Sequence, residues 1–207
     1  MKTLMRVMGI DQSLSNTGVA LIDFKREGNV ILPHVVDHMT IKTTKLTDKK
    51  KFNFLFDDKS IDNLPFLISN YPNLSLDKLY NPFINNVKRV DYIINQLEEL
   101  NKFYKPDTIV LESLAYGAKS NSRDVLSYLF YRIIESFKNQ FIFVINQKTA
   151  KKLITGKGNA TKEDVKKVIQ ATLDDINDEN QFNWDEHQMD AFMFSMALFY
   201  FYILKRT

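Results

Sequence analysis

The chain has 207 residues, 44% of them apolar, enough to bury a sizeable core and of a length that predicts one domain over 1–207. It contains no cysteine, which excludes disulfides, thiol catalysis, zinc–thiolate sites and iron–sulfur clusters and leaves oxygen and imidazole as metal donors. A formal charge of +3 is too mild to identify a partner, so its distribution matters more. Lys148, Lys151, Lys152, Lys157, Lys162, Lys166 and Lys167 crowd one stretch, whereas residues 171–190 hold no Lys or Arg and carry Asp174, Asp175, Asp178, Glu179, Asp185, Glu186 and Asp190. A basic strip beside an acidic pocket suits a phosphodiester substrate with divalent metals; solvated helix faces would give the same pattern.

The start, MKTLMRVMGIDQS, reaches a polar loop before an apolar stretch of signal-peptide length develops, so a cytoplasmic location is expected. Residues 4–10 and 18–24 read as two strands joined by a polar turn, and a third strand is expected at 34–42 after the Glu27-Gly28-Asn29 turn. Edge-type alternation there turns His34 and His38 outward, as surface residues rather than ligands. Residues 45–82 lose clear periodicity and read as an insertion with local helix. A helix over 84–103 follows, with Val87, Val90, Ile93, Ile94, Leu97 and Leu100 on one stripe.

Strand 107–112 is a short apolar run ending in a carboxylate, as expected of a central strand covered on both faces. After the loop LAYGAKSNS come a helix over 123–137 and a strand over 141–145. Thr161 and Asp164 form a capping box opening a helix to about 173, and Asn183 with Glu186 is expected to open the last helix, to about 204. The apolar run 191–204 is shorter than the ~20 residues a bilayer crossing needs, and reads as a buried helix rather than a membrane anchor.

Asp11 ends the first strand, Glu112 ends the fourth, and Asp190 lies in the first turns of the last helix. An ionised carboxylate in a low-dielectric setting must be paired or hold a cation, so three acids at the rim of one sheet suggest shared Mg²⁺ or Mn²⁺. Taken singly, each has a plainer role: a turn cap, a strand-end ion pair, a helix-dipole partner. His187, three residues before Asp190, shares its helix face and suits Mn²⁺ ligation or proton transfer. Glu186 and Asp185 have duller roles as a capping partner and a first-turn acid.

The segments GIDQSLSNTGVALID (9–23), VLES with the loop after it (110–122) and HQMDAF (187–192) together resemble the RuvC family of Holliday-junction resolvases, in order and spacing, across most of the chain. The resemblance implies an α/β, RNase H-like (retroviral-integrase) fold with a mixed five-stranded sheet flanked by helices. It also implies a homodimer that makes symmetric, Mg²⁺- or Mn²⁺-dependent nicks in four-way and branched DNA, with two ions per active site. The family's acids fall on Asp11, Glu112 and Asp190, and its fourth position, an acid or histidine among relatives, on His187. Two DNA-contacting lysines fall on Lys151 and Lys162, within a Gly-punctuated basic segment that adds Lys152 and Lys157 and whose helix N-terminal amides suit phosphate contacts. Tyr116, beside Lys119, stands where the family carries an aromatic that helps open the junction and is placed to stack on a base, if it does not pack on the neighbouring helix.

The first loop, DQSLSNTG, departs from the Pro-Gly that follows the aspartate in many bacterial relatives, and the 45–82 insertion is several tens of residues longer. Both departures resemble phage-encoded members from low-GC Gram-positive hosts. Two other readings compete. GID with a Ser/Gly/Asn/Thr loop also opens sugar-kinase and actin-like ATPases, but these need a second phosphate-binding loop and far greater length, so no nucleotide cofactor is expected. A non-catalytic branched-DNA-binding module would use the basic stretch and keep the acids as structure.

Overall fold

The computed structural model describes residues 2–43, 76–114, 122–175 and 184–204. The elements are β1 (Lys2–Asp11), β2 (Asn16–Glu27), β3 (Val30–Lys42), α1 (Leu76–Tyr104), β4 (Thr108–Glu112), α2 (Ser122–Ser136), β5 (Phe141–Ile145), α3 (Gln147–Thr155), α4 (Lys162–Asp175) and α5 (Glu186–Leu204). They build a mixed five-stranded sheet of order β3-β2-β1-β4-β5. β1, β2 and β3 pair antiparallel through hairpins, and β4 and β5 add in parallel to β1.

The central strands alternate between two cores, as period-two side chains must. Val7, Ala20, Ile22, Phe24 and Val110 face one core with the buried residues of α3, α4 and α5. Met8, Ile10, Val19, Leu21, Ile109 and Leu111 face the other, against Val90, Ile93, Ile94 and Leu97 of α1 and Leu129 and Ile133 of α2. Each large side chain fully buried this way contributes about 1.5–3 kcal/mol. α5 is apolar almost all round, and Ala191–Leu198 are buried without a break. That run is an interior helix, and among the described residues no helix is long and apolar enough to cross a membrane.

Three expectations need correction. β3 starts at Val30 rather than 34, because Gly28 at φ +60° turns the chain at once into a long ladder with β2. α1 starts at Leu76, eight residues before the apolar stripe becomes readable and inside the segment read as an insertion; the rest of that segment, 45–75, lies outside the described residues. His34 is exposed as expected, but His38 is not turned to solvent: its ring stacks on Trp184 with centroids 4.0 Å apart, and its Nδ1 lies 3.1 Å from Gln188 Oε1. An edge strand is open along its backbone, not on the face that a helix covers.

Candidate active site

In the β1–β4 register Ile10 pairs with Leu111, so the next residues, Asp11 and Glu112, end adjacent parallel strands side by side. On its other flank Asp11 pairs with Gly18 of β2. The third acid arrives on α5, and two glycines allow that approach. A Cβ on Gly9 would stand 2.2 Å from the Ala191 carbonyl oxygen and from Ser195 Oγ; one on Gly18 would stand 2.1 Å from the His187 carbonyl oxygen. Only residues without a Cβ admit a helix backbone this closely. The helix thereby brings His187 and Asp190 to the end of β1, where His187 Nδ1 lies 2.9 Å from Asp11 Oδ2.

The first turn of α5 is held from β3. Asp185 Oδ1 accepts from the Gln188 backbone N–H at 2.9 Å, and Gln188 Oε1 accepts from the Asp185 N–H at 3.1 Å. This is a capping box at Asp185 and Gln188. Asn183, the cap expected from the sequence, lies outside the described residues, and Glu186 accepts from Lys162 Nζ at 2.9 Å. Thr40 Oγ1 donates to Asp185 Oδ2 at 2.6 Å. Together with His38 on Gln188, this fixes where the helix begins, and so where His187 and Asp190 stand.

Burial raises the pKa of Asp11, and the hydrogen bond to His187 offsets only part of that. Burial, and then the charges of Asp11 and Asp190, push Glu112 up to about 7 against the pull of Lys151. Asp190 is pushed up to about 6 by burial and by Asp11, against Lys162 and Lys151. Carboxylates that raise one another's pKa occupy one small, under-neutralised space.

That donor set suits a hard divalent cation in kind: oxygen donors, an imidazole, and negative charge that the described residues balance only in part. The side-chain poses are not those of a closed site. Among the described residues no three Asp, Glu or His side chains are placed to hold one ion jointly; His187 is turned onto Asp11.

Lys151 and Lys162 stand at the rim. Lys151 Nζ donates to the Ala160 carbonyl at 3.1 Å, tying α3 to the loop before α4. Lys162 opens α4 beside the expected Thr161–Asp164 box, in which Asp164 Oδ2 accepts from the Thr161 N–H at 3.0 Å. Gly156 ends α3 at φ +79°, its N–H on the Lys152 carbonyl. Lys152 and Lys157 are exposed and, among the described residues, their side chains make no hydrogen bond or ion pair. Tyr116 and Lys119 lie outside the described residues.

Sequence reasoning missed Gly9 and Gly18 as the seats of α5, Thr40 and His38 as its anchors, and Gln12, whose Nε2 donates to the Glu112 carbonyl. A glycine on each side of the strand-end aspartate was the available signal. Strand glycines mark close backbone approach, but which element approaches is not written locally.

No family model matches the chain, and no curated protein matches it in sequence. Solved structures do match. Thermus thermophilus RuvC superposes with a TM-score of 0.66 at 13% identity, covering 97% of each chain. The fold is RNase H-like. T. thermophilus RuvC in complex with a Holliday junction substrate matches with a TM-score of 0.63 at 11% identity over 97% of this chain and 96% of that one. The yeast mitochondrial Holliday junction resolvase Ydc2 matches at 0.51 and 14%, over 97% of this chain and 80% of that one. At such identities the likeness to RuvC is one of architecture, and the mixed five-stranded sheet flanked by helices is the part held in common.

Proposed function

We propose that the protein is a divalent-metal-dependent endonuclease that resolves four-way junctions and other branched DNA, working as a homodimer of 1–207 single-domain chains. The observation that carries this reading is the meeting of Asp11, Glu112, Asp190 and His187 at one end of the sheet, with Lys151 and Lys162 beside them. Its support from outside is that one RuvC structure of the same fold holds a Holliday junction and that Ydc2 is a Holliday junction resolvase. The polar first loop and the long 45–82 segment support a phage-encoded member of that group.

Asp11, Glu112 and Asp190, with His187, are the residues that would hold the metal. Two bound Mg²⁺ or Mn²⁺ ions supply a polarised attacking water and charge stabilisation for the leaving 3′-oxygen. His187 orients Asp11 through Nδ1 and is placed to hold or pass a proton. Lys151 and Lys162 take backbone phosphates, helped by the N-terminal amides of α4; Lys152, Lys157 and Lys119 extend the basic track, and Tyr116 stacks on an unpaired base. Two coordinated nicks in a nearly two-fold junction need two related sites, which is the reason for a dimer.

One observation favours a second reading, a non-catalytic branched-DNA-binding protein: His187 Nδ1 already partners Asp11 Oδ2 at 2.9 Å, a structural use of that acid that needs no metal. Cleavage of end-labelled four-way junction, fork and linear duplex, with and without Mg²⁺ or Mn²⁺, separates the two. Paired nicks confined to branched DNA, and lost in Asp11→Asn, are expected. Junction binding with no cutting at any metal concentration would leave the binding module, and full activity in Asp11→Asn would move the chemistry elsewhere. Sedimentation of a monomer on junction DNA would remove the dimer.

A further inference from the structure

The loop between β1 and β2, residues 12–15, leaves directly from Asp11 and is fastened from several sides. Thr17 Oγ1 donates to the Ser13 carbonyl at 2.6 Å. The Thr43 N–H donates to the Ser15 carbonyl at 3.0 Å, and Thr43 Oγ1 donates to the Leu14 carbonyl. Gln12 crosses to β4, donating to the carbonyl of Glu112. The remaining fastener comes from far along the chain. Arg89, midway along α1, donates from Nε to Thr43 Oγ1 at 2.8 Å and from Nη2 to the Leu14 carbonyl at 3.1 Å and Ser15 Oγ at 2.9 Å.

Arg89 is a costly choice for filling space. Its side chain is half-buried, and among the described residues its guanidinium meets no carboxylate. A half-buried charge with only neutral acceptors is disfavoured against an apolar side chain of similar length, unless its directed bonds matter. What the guanidinium supplies is a rigid planar fork that reaches three acceptors at fixed angles, which neither Lys nor Met reproduces. Those acceptors are all on the loop after Asp11 or on Thr43, the residue that holds that loop to the end of β3.

We propose that Arg89 is a positioning residue for phosphodiester cleavage: by clamping Leu14, Ser15 and Thr43 it fixes the loop that follows Asp11 and, through Gln12, the end of β4 that carries Glu112. The inference rests on the endonuclease reading. It assigns Arg89 to the geometry of the acids and not to the grip on DNA, so its loss acts on turnover and on metal affinity rather than on junction affinity.

The test compares wild type with Arg89→Met, Arg89→Lys, Thr43→Val and Ser15→Ala. Junction cleavage is measured across substrate concentration, junction binding across salt, and Mn²⁺ binding to the DNA-free protein by calorimetry. Displacement of a reacting group by about 1 Å costs about 10²-fold in rate, so Arg89→Met is expected to lose kcat on that order. Its KM and the salt dependence of junction binding should stay at wild-type values, and its Mn²⁺ affinity should fall several-fold. Arg89→Lys should recover little, and Thr43→Val should fall between. Cleavage by Arg89→Met within twofold of wild type overturns the proposal. So does a salt slope shallower by about 0.9, which marks a lost phosphate contact, or full rescue by Arg89→Lys, which marks charge alone. Should Arg89→Met not fold, Thr43→Val and Ser15→Ala decide: wild-type kcat and Mn²⁺ affinity in both overturn it. Wild type that neither cuts nor binds Mn²⁺ fails the endonuclease reading itself, whereas active wild type with normal variants fails only this inference.

Discussion

His187 Nδ1 and Asp11 Oδ2 stand 2.9 Å apart across 176 residues of sequence. The contact joins the end of β1 to the first turn of α5, and among the described residues no other hydrogen bond joins the side chains of Asp11, Glu112, His187 and Asp190. It holds Asp11 in place while leaving Glu112 and Asp190 without an equivalent partner among the described residues. His187→Ala is therefore expected to lower kcat by about 10- to 100-fold, the usual range for loss of a partner that orients a metal-ligating carboxylate, while junction affinity is kept. Single-turnover cleavage against junction binding checks this. Equal losses in both would assign His187 to DNA contact instead.

Glu112 and Asp190 give a pH dependence of stability whose sign follows from their raised pKa values. The folded state holds its protons more tightly than the unfolded chain, so the stabilisation is fully present below about pH 4. It is lost as pH rises through about 6 for Asp190 and about 7 for Glu112. Without metal, these two groups should make the protein less stable at pH 8 than at pH 4 by on the order of 3 kcal/mol, discounted for their partial exposure. Denaturant unfolding of wild type and the Glu112→Gln, Asp190→Asn double variant at both pH values measures the difference. The same pH dependence in both proteins would sink the idea. Mg²⁺ should raise the stability of wild type at pH 8 and leave the double variant unchanged.

The seat of α5 predicts a steric effect. Gly18→Ala places a methyl group against the His187 backbone and Gly9→Ala against Ala191, and backbone cannot swing aside as a side-chain end can. Each should cost about 1–3 kcal/mol or more as overpacking and should displace His187 and Asp190 from Asp11. Thermal unfolding together with cleavage tests this. A Gly18→Ala protein with wild-type Tm would show that the helix can lift away at no cost.

Lys151 and Lys162 are expected to act through phosphates. Lys151→Ala and Lys162→Ala should each make the slope of log affinity against log salt shallower by about 0.9 if the contact is to duplex backbone. Because Lys162 also pairs with Glu186 at 2.9 Å, an exposed ion pair of little worth, its loss should leave Tm close to wild type. Slopes indistinguishable from wild type in both variants would remove the basic rim from the DNA interface.

The five strands, the stripe on α1, the box at Thr161 and Asp164 and the strand-end positions of Asp11 and Glu112 were legible in the sequence, since each is governed by neighbours a few residues away. Period two, period 3.6 and cap spacing are local properties of a chain. The first turn of α5 was legible only in part. The box at Asp185 and Gln188 is held by Thr40 and His38, which lie on β3 far earlier in the chain.

What only the tertiary structure decided is which local features meet. Nothing near His38 in sequence predicts Trp184 beneath its ring, and nothing near Arg89 predicts the Leu14 carbonyl. Gly9 and Gly18 read locally as weak points of a strand, yet with α5 in place they are positions where its backbone comes close against the sheet. The residue types and their strand-end positions lie within the reach of sequence patterns because they depend on short-range geometry. The 2.9 Å approach of His187 to Asp11 depends on a helix docking across two strands, a contact set by packing between segments far apart in the chain.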